Sequence, residues 1–161
     1  LLDREMARRR RYGRRISLIL FDIDHFKEIN DSHGHDIGDL ALRRVAQAGS
    51  DMMRDTDIYA RLGGDEFAVL LYETDLDAAE RVALRLRDAL RALEISTPDG
   101  RPVALTGSFG VTANMGDRDT PEALVKRADL APYDVKRRGR DGVARRDADI
   151  GADGPSTPRA P

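Results

Sequence analysis

Apolar residues along this chain recur in two rhythms, and the alternation between them lays out the elements. Ser17-Leu18-Ile19-Leu20-Phe21 is a short apolar run flanked by arginines and acids, the pattern of a central strand covered on both faces. Ile37, Leu40, Ala41, Val45, Ala48 and Met52 then recur at three- and four-residue intervals, one stripe on a helix that Asp36 is placed to cap. Residues 58–62 and 67–71 read as two strands joined by Gly63-Gly64-Asp65-Glu66, a hairpin signal because glycine and aspartate tolerate positive φ. Residues 77–93 predict a second amphipathic helix, with Ala79, Val82, Ala83, Leu86, Leu90 and Leu93 facing inward.

Val103, Leu105, Gly107, Phe109 and Val111 alternate with other residues at the two-residue period of a strand. Thr120-Pro121-Glu122 opens a third helix with a capping residue and then proline at the first helical position; it should end at Gly139. Residues 2–12 suit a short helix or linker end. From about Ala144 the pattern stops, and the Gly-, Pro-, Ala- and Ser-rich stretch 151–161 cannot bury enough surface to order itself. The expected division is therefore 1–16 as an N-terminal helix and linker end, 17–145 as one domain, and 146–161 as a disordered tail. The element order argues for an α+β fold, an antiparallel-leaning sheet with helices packed on it.

Composition narrows the function classes. A chain of 161 residues, 40% hydrophobic and 35% charged, suits one soluble domain. The net charge of −2 supplies no global field for nucleic acid or a membrane surface. The crowded arginines Arg8, Arg9, Arg10, Arg11, Arg14 and Arg15 read as a solvated helix face. With no cysteine, disulfides and thiolate metal sites are excluded. No apolar stretch approaches the roughly 20 residues that span a bilayer, and the expected location is the cytoplasm.

Two segments carry chemistry: Phe21-Asp22-Ile23-Asp24-His25-Phe26-Lys27-Glu28-Ile29-Asn30-Asp31, continuing to Asp39, and Arg61-Leu62-Gly63-Gly64-Asp65-Glu66-Phe67. Asp22 closes a buried strand, where a carboxylate is costly unless a partner or cation neutralises it. Asp65 and Glu66 sit on a tight turn, and carboxylates so placed suit hard cations. Gly63 and Gly64 let backbone N–H groups approach a phosphate, while Lys27, Lys136 and Arg140 add positive charge. Together these are the parts of phosphoryl or nucleotidyl transfer. The bland alternative, acids at strand ends and glycines in a turn, suits Gly-Gly-Asp alone better than it suits the combination. His25, His33 and His35 cluster beside acids, but no ligand spacing recommends a tetrahedral zinc site.

Gly63-Gly64-Asp65-Glu66-Phe67 is letter for letter the signature of the GGDEF family, the diguanylate cyclases, and the chain resembles that family in two further places. The stretch 22–39 is similar to its other hallmark, and Asp129, Tyr133, Lys136, Gly139 and Arg140 resemble its C-terminal helix motif. The resemblance implies a central, mostly antiparallel five-stranded sheet flanked by helices, ferredoxin-like and similar to the palm of adenylyl cyclases, with the signature on a β-hairpin. It implies that two GTP are condensed into cyclic di-GMP by a homodimer, using two magnesium or manganese ions (Mg2+ or Mn2+) per active site. Asp22, the Ile23 carbonyl, Asp65 and Glu66 would hold metal. Asp65 would also help deprotonate the attacking hydroxyl, and Lys27 would stabilise phosphate charge. Asn30 and Asp39 would read guanine, His35 would lie beside the nucleotide, and Lys136 and Arg140 would grip the γ-phosphate.

Arg54 and Asp57 form an Arg-x-x-Asp ahead of the hairpin, where many members bind cyclic di-GMP as a feedback inhibitor, with Arg85 as a second arm. The alternative is a local surface pair of Arg54 and Asp57, but the offset from the hairpin favours the inhibitory site. Three departures qualify the resemblance. The chain opens past the family's usual Leu-Thr-Gly-Leu-x-Asn-Arg segment and the sensory or dimerising region expected before it. Pro132 falls inside the third helix, where a kink would re-aim Lys136 and Arg140. Asp141 puts a negative charge beside Arg140. Pro132 keeps open a non-catalytic module that binds cyclic di-GMP or GTP as a sensor.

Overall fold

The computed structural model describes residues 15–114 and 119–146. Its strands are β1 (Ile16–Ile23), β2 (Ile58–Gly63), β3 (Glu66–Tyr72), β4 (Gly107–Ala113) and β5 (Gly142–Arg146). Its helices are α1 (Phe26–His33), α2 (His35–Asp51), α3 (Leu76–Arg91) and α4 (Pro121–Arg137). The sheet order is β2-β3-β1-β4-β5. All neighbours are antiparallel except β4 and β5, which run parallel, so the expected mostly antiparallel five-stranded α+β sheet is present.

β1 is buried along its whole length, as its unbroken apolar run requires. Side chains alternate between its faces, so two cores form. Ile19, Phe21 and Ile23 face the larger one, which includes Val45 of α2 and Leu86 and Leu90 of α3. There Phe21 stacks on Phe67 and Phe109, with ring centroids 5.1 and 4.5 Å apart. Ile16, Leu18 and Leu20 face Leu124 and Ala128 of α4. This second row continues past Leu20 into Asp22 and Asp24, so its apolar footing ends in two buried carboxylates.

Several expectations are corrected. α1 has no counterpart among the predicted helices, because only Ile29 of its eight residues is buried and no stripe exists to detect. Gly34, not Asp36, is the N-cap of α2; Asp36 lies in the first turn, where its charge suits the helix dipole. The alternation at 103–111 becomes a strand only from Gly107. Val103 and Leu105 are buried by packing outside the ladder, beside an isolated Ser96–Pro102 bridge. β5 occupies 142–146, where the pattern was expected to stop, because its residues are only partly buried and show little apolar rhythm. The expected helix at 2–12 and the tail beyond Arg146 lie outside the described residues. Among the described residues no helix is long and apolar enough to cross a membrane.

The start of α4 matches its prediction: Thr120 caps it, accepting from the Ala123 N–H at 3.2 Å, and Pro121 is its first residue. Pro132 does not break that helix, which continues to Arg137. Its tolerance has a local cause. A Cβ on Gly110 of β4 would stand 2.3 Å from Pro132 Cδ and 2.6 Å from the Ala128 carbonyl oxygen. The absence of that Cβ lets α4 settle on the sheet at the proline, and the last turn still faces Asp22.

Candidate active site at the end of the central strand

Asp22 lies at the end of β1 with Glu66 of β3 directly across from it in register. The Ile23 N–H donates to the Asp65 carbonyl at 3.3 Å, which ties the hairpin turn to the same strand end. Lys136, in the last turn of α4, reaches Asp22 with Nζ 2.9 Å from Oδ2. Burial pushes the Asp22 carboxyl above its ordinary pKa, Lys136 pulls it back, and the charges of Asp24 and Asp65 push it up again. The pairing with Lys136 was not foreseen; the sequence reading assigned that lysine to phosphate alone.

Asp22, Glu66 and Lys136 line a cleft of about 430 Å3, walled also by Leu20, Leu62, Asp129, Pro132 and Tyr133. At the hairpin tip Gly64 takes φ +53°, and the Arg61 Nε donates to its carbonyl at 2.8 Å. A Cβ on Gly63 or Gly64 would meet no protein atom within 4 Å, so bare backbone faces open space there. Neither glycine serves packing, which leaves the turn free to meet a phosphate.

The remaining predicted residues are arranged in two groups. Lys27 and Asn30 lie on α1, and His35 and Asp39 on the first turns of α2; none of the four lines the cleft wall. A Cβ on Gly38 would stand 1.8 Å from Asn30 Oδ1, so this glycine is what lets Asn30 lie against α2, one residue from Asp39. Arg140 is exposed on the turn after α4.

The donor set fits a hard divalent cation in its chemistry: oxygen ligands, one of them a buried carboxylate beside further negative charge. Among the described residues no three His, Asp or Glu side chains stand close enough to hold an ion as arranged. Asp22, Asp65 and Glu66 are neighbours, with the Lys136 ammonium occupying the near side of Asp22. His25 instead meets Glu28 at 2.6 Å.

A second cavity, of about 420 Å3, brings Arg54, Asp57 and Arg85 together and adds Arg81, one turn before Arg85 on α3. Asp57 Oδ2 accepts from the Arg54 backbone N–H at 3.1 Å, so the local contact is not an ion pair between side chains. Asp57 Oδ1 is buried with no hydrogen-bond partner among the described residues.

A family model described as "Diguanylate cyclase, GGDEF domain" matches residues 1–142. The chain belongs to the GGDEF family. This GGDEF domain is 44% identical over 140 residues to diguanylate cyclase DgcP of Pseudomonas aeruginosa, a match covering 87% of the chain and 21% of the relative. It is 43% identical over 143 residues to response regulator PleD of Caulobacter vibrioides, covering 88% and 32%. The chain thus spans between a fifth and a third of these relatives.

Among solved structures it is similar to diguanylate cyclase SiaD in complex with its activator SiaC, from P. aeruginosa, with TM-score 0.85 and 38% identity over 90% of this chain and 55% of that one. It is also similar to the GGDEF domain of DgcB from Caulobacter crescentus in complex with c-di-GMP, with TM-score 0.85 and 30% identity over 89% of this chain and 85% of that one.

Sequence reasoning passed over two residues in this GGDEF domain. Asp24 was quoted within the hallmark without a role. Its parity with Asp22, two residues apart on a strand end, was the available signal. Arg91 gave none, because its partner Asp141 lies fifty residues away.

Proposed function

We propose that the domain is a diguanylate cyclase that condenses two GTP into cyclic di-GMP and two pyrophosphates. The observation that carries this reading is the Asp22–Lys136 pair, set opposite Glu66 at the mouth of a cleft beside the bare Gly63-Gly64 turn. In each half-reaction a 3′-oxygen forms a bond to the α-phosphorus of the other GTP, the bond to the β-phosphate oxygen breaks, and pyrophosphate leaves. Asp65 takes the 3′-hydroxyl proton. Asp39 accepts from guanine N1–H and the N2 amino group, donors that adenine does not present together, and Asn30 lies beside it. His35 flanks the base.

Lys27, Lys136 and Arg140 meet the triphosphate, Lys136 exchanging the Asp22 carboxylate for a phosphate oxygen. Asp22, the Ile23 carbonyl, Asp65 and Glu66 would hold two Mg2+ or Mn2+ ions, which supply charge neutralisation at the phosphates and the attacking oxygen. The residues contribute position and charge rather than a covalent step. One GTP per site requires two copies facing each other about a two-fold axis. Pro132, which had kept open a non-catalytic module, leaves Lys136 at Asp22.

The test is incubation of the domain, fused to a dimerising coiled coil, with GTP and magnesium. Cyclic di-GMP and pyrophosphate should appear in a ratio of one to two, and the Asp65→Ala fusion should make neither. Bound but unconsumed GTP would leave the sensor reading in place of this one.

The second cavity is the site proposed for product feedback. Arg54 and Arg85 offer cations for phosphate, and Asp57, once its buried oxygen turns towards the cavity, would offer an acceptor for a guanine edge. Arg54→Ala and Arg85→Ala should each raise the cyclic di-GMP concentration for half-inhibition about tenfold or more, the loss of one charge-assisted contact. Initial rates at low product should not change. An inhibition curve unmoved in both variants would exclude this cavity as the inhibitory site.

A further inference from the structure

Arg140 carries part of the proposed grip on the triphosphate, yet it stands on a turn whose backbone needs outside support. Gly139, Arg140 and Asp141 take φ +111°, +68° and +51°, a left-handed path that non-glycine residues seldom follow. Three contacts hold it. The Arg140 N–H donates to the Val135 carbonyl at 3.0 Å. The Asp141 N–H donates to Asp24 Oδ2 at 3.0 Å. The Asp141 carboxylate is forked by Arg91, whose Nε lies 2.9 Å from each oxygen and whose Nη2 also donates to Oδ2.

Asp24 is a rigid post for this turn. It is 4% exposed and accepts from Thr106 Oγ1 at 2.9 Å and Ser108 Oγ at 2.7 Å, so its carboxylate is locked to the start of β4. Arg91 removes a second difficulty. A free Asp141 carboxylate would compete with phosphate for the neighbouring Arg140; paired to the end of α3, it does not. Arg140 itself is exposed, and its guanidinium has no hydrogen-bond or ion-pair partner among the described residues.

The geometry points to Asp24 and the Arg91–Asp141 pair as positioning residues that fix Arg140 for the γ-phosphate. This inference rests on the cyclase reading above. Neither Arg91 nor Arg140 lines the cleft wall, and the contact by which Arg91 bears on Arg140 is its pairing with Asp141 on the same turn. Arg91 and Asp141 act as one device: the acid beside Arg140 is balanced by an arginine from another element.

Calorimetric binding of a non-hydrolysable GTP analogue and of GDP, each with magnesium, separates the possibilities. The parent should favour the GTP analogue. Arg140→Ala and Arg91→Ala should each lose about tenfold of that preference with GDP affinity unchanged, the effect of one charge-assisted contact. Asp141→Asn, which keeps the N–H on Asp24, should lose less in the same direction and guards against misfolding of Arg91→Ala. The double variant Arg91→Ala, Arg140→Ala should be no worse than Arg140→Ala alone. Retained preference in both Arg91→Ala and Asp141→Asn, with Arg140→Ala impaired, would overturn the clamp and leave the cyclase reading standing. Equal losses for GTP analogue and GDP would mark general damage and overturn it too. An Arg140→Ala variant with full preference, or a parent that binds neither nucleotide, would remove the grip on which the clamp depends.

Discussion

Replacing Asp22 by asparagine should lower cyclic di-GMP synthesis by about a thousandfold, the scale of losing one preorganised electrostatic contact, while hardly moving the denaturation midpoint. The two halves of this prediction have one cause. The Asp22 carboxylate is buried at the strand end, beside the charges of Asp24 and Asp65. Ionising it there is unfavourable, and the Lys136 contact offsets that cost. An amide of the same shape needs no counter-charge, and Lys136, which is half-exposed, turns to water. Stability should therefore stay within about 1 kcal/mol of the parent. Catalysis should not survive, because the amide neither attracts a cation nor holds Lys136 in reach of the phosphates. Steady-state rates and urea midpoints on the same preparations check both halves; activity within tenfold of the parent would remove Asp22 from the chemistry.

Gly110→Ala should destabilise the domain by about 3 kcal/mol, at the upper end of ordinary overpacking. The new methyl would lie 2.3 Å from Pro132 Cδ and 2.6 Å from the Ala128 carbonyl oxygen. The second of these is backbone, which cannot rotate away, so α4 must lift from β4. Lifting it also draws Lys136 from Asp22, and activity should fall with stability. Pro132→Ala in the same background should recover part of the loss, about 1 kcal/mol of coupling between residues in contact. A urea midpoint for Gly110→Ala equal to the parent's would show that the helix has slack at the proline.

These two residues also mark how far the sequence could be read. Elements with strong signals were legible: β1 as an apolar run, α2 and α3 as stripes, α4 from its Thr-Pro start and the glycine beyond it, the hairpin from its glycines. α1 and β5 were not, since α1 buries a single residue and β5 buries none fully. The strand predicted at Val103 and Leu105 failed for a different reason. Burial by packing gives the same alternation as a ladder, and pattern alone does not separate them. At the site, the residue types that handle phosphate and metal were legible because chemistry restricts them to a few. Their partners were not. That Lys136 meets Asp22, that Arg91 meets Asp141, and that Gly110 makes room for Pro132 are all contacts across the fold, set by where α3 and α4 land on the sheet. Pro132 looked like a fault in isolation, yet the helix runs on through it beside a glycine on β4.

The account turns on Asp22 accepting a divalent cation while Lys136 moves to the nucleotide. A crystal structure of the domain with manganese and a non-hydrolysable GTP analogue reads both at once. The prediction is an anomalous peak about 2.1 Å from an Asp22 oxygen, the Lys136 ammonium on a phosphate oxygen, and the triphosphate against the Gly63-Gly64 turn. A nucleotide bound elsewhere, with Lys136 still on Asp22 and no metal beside that carboxylate, would contradict it.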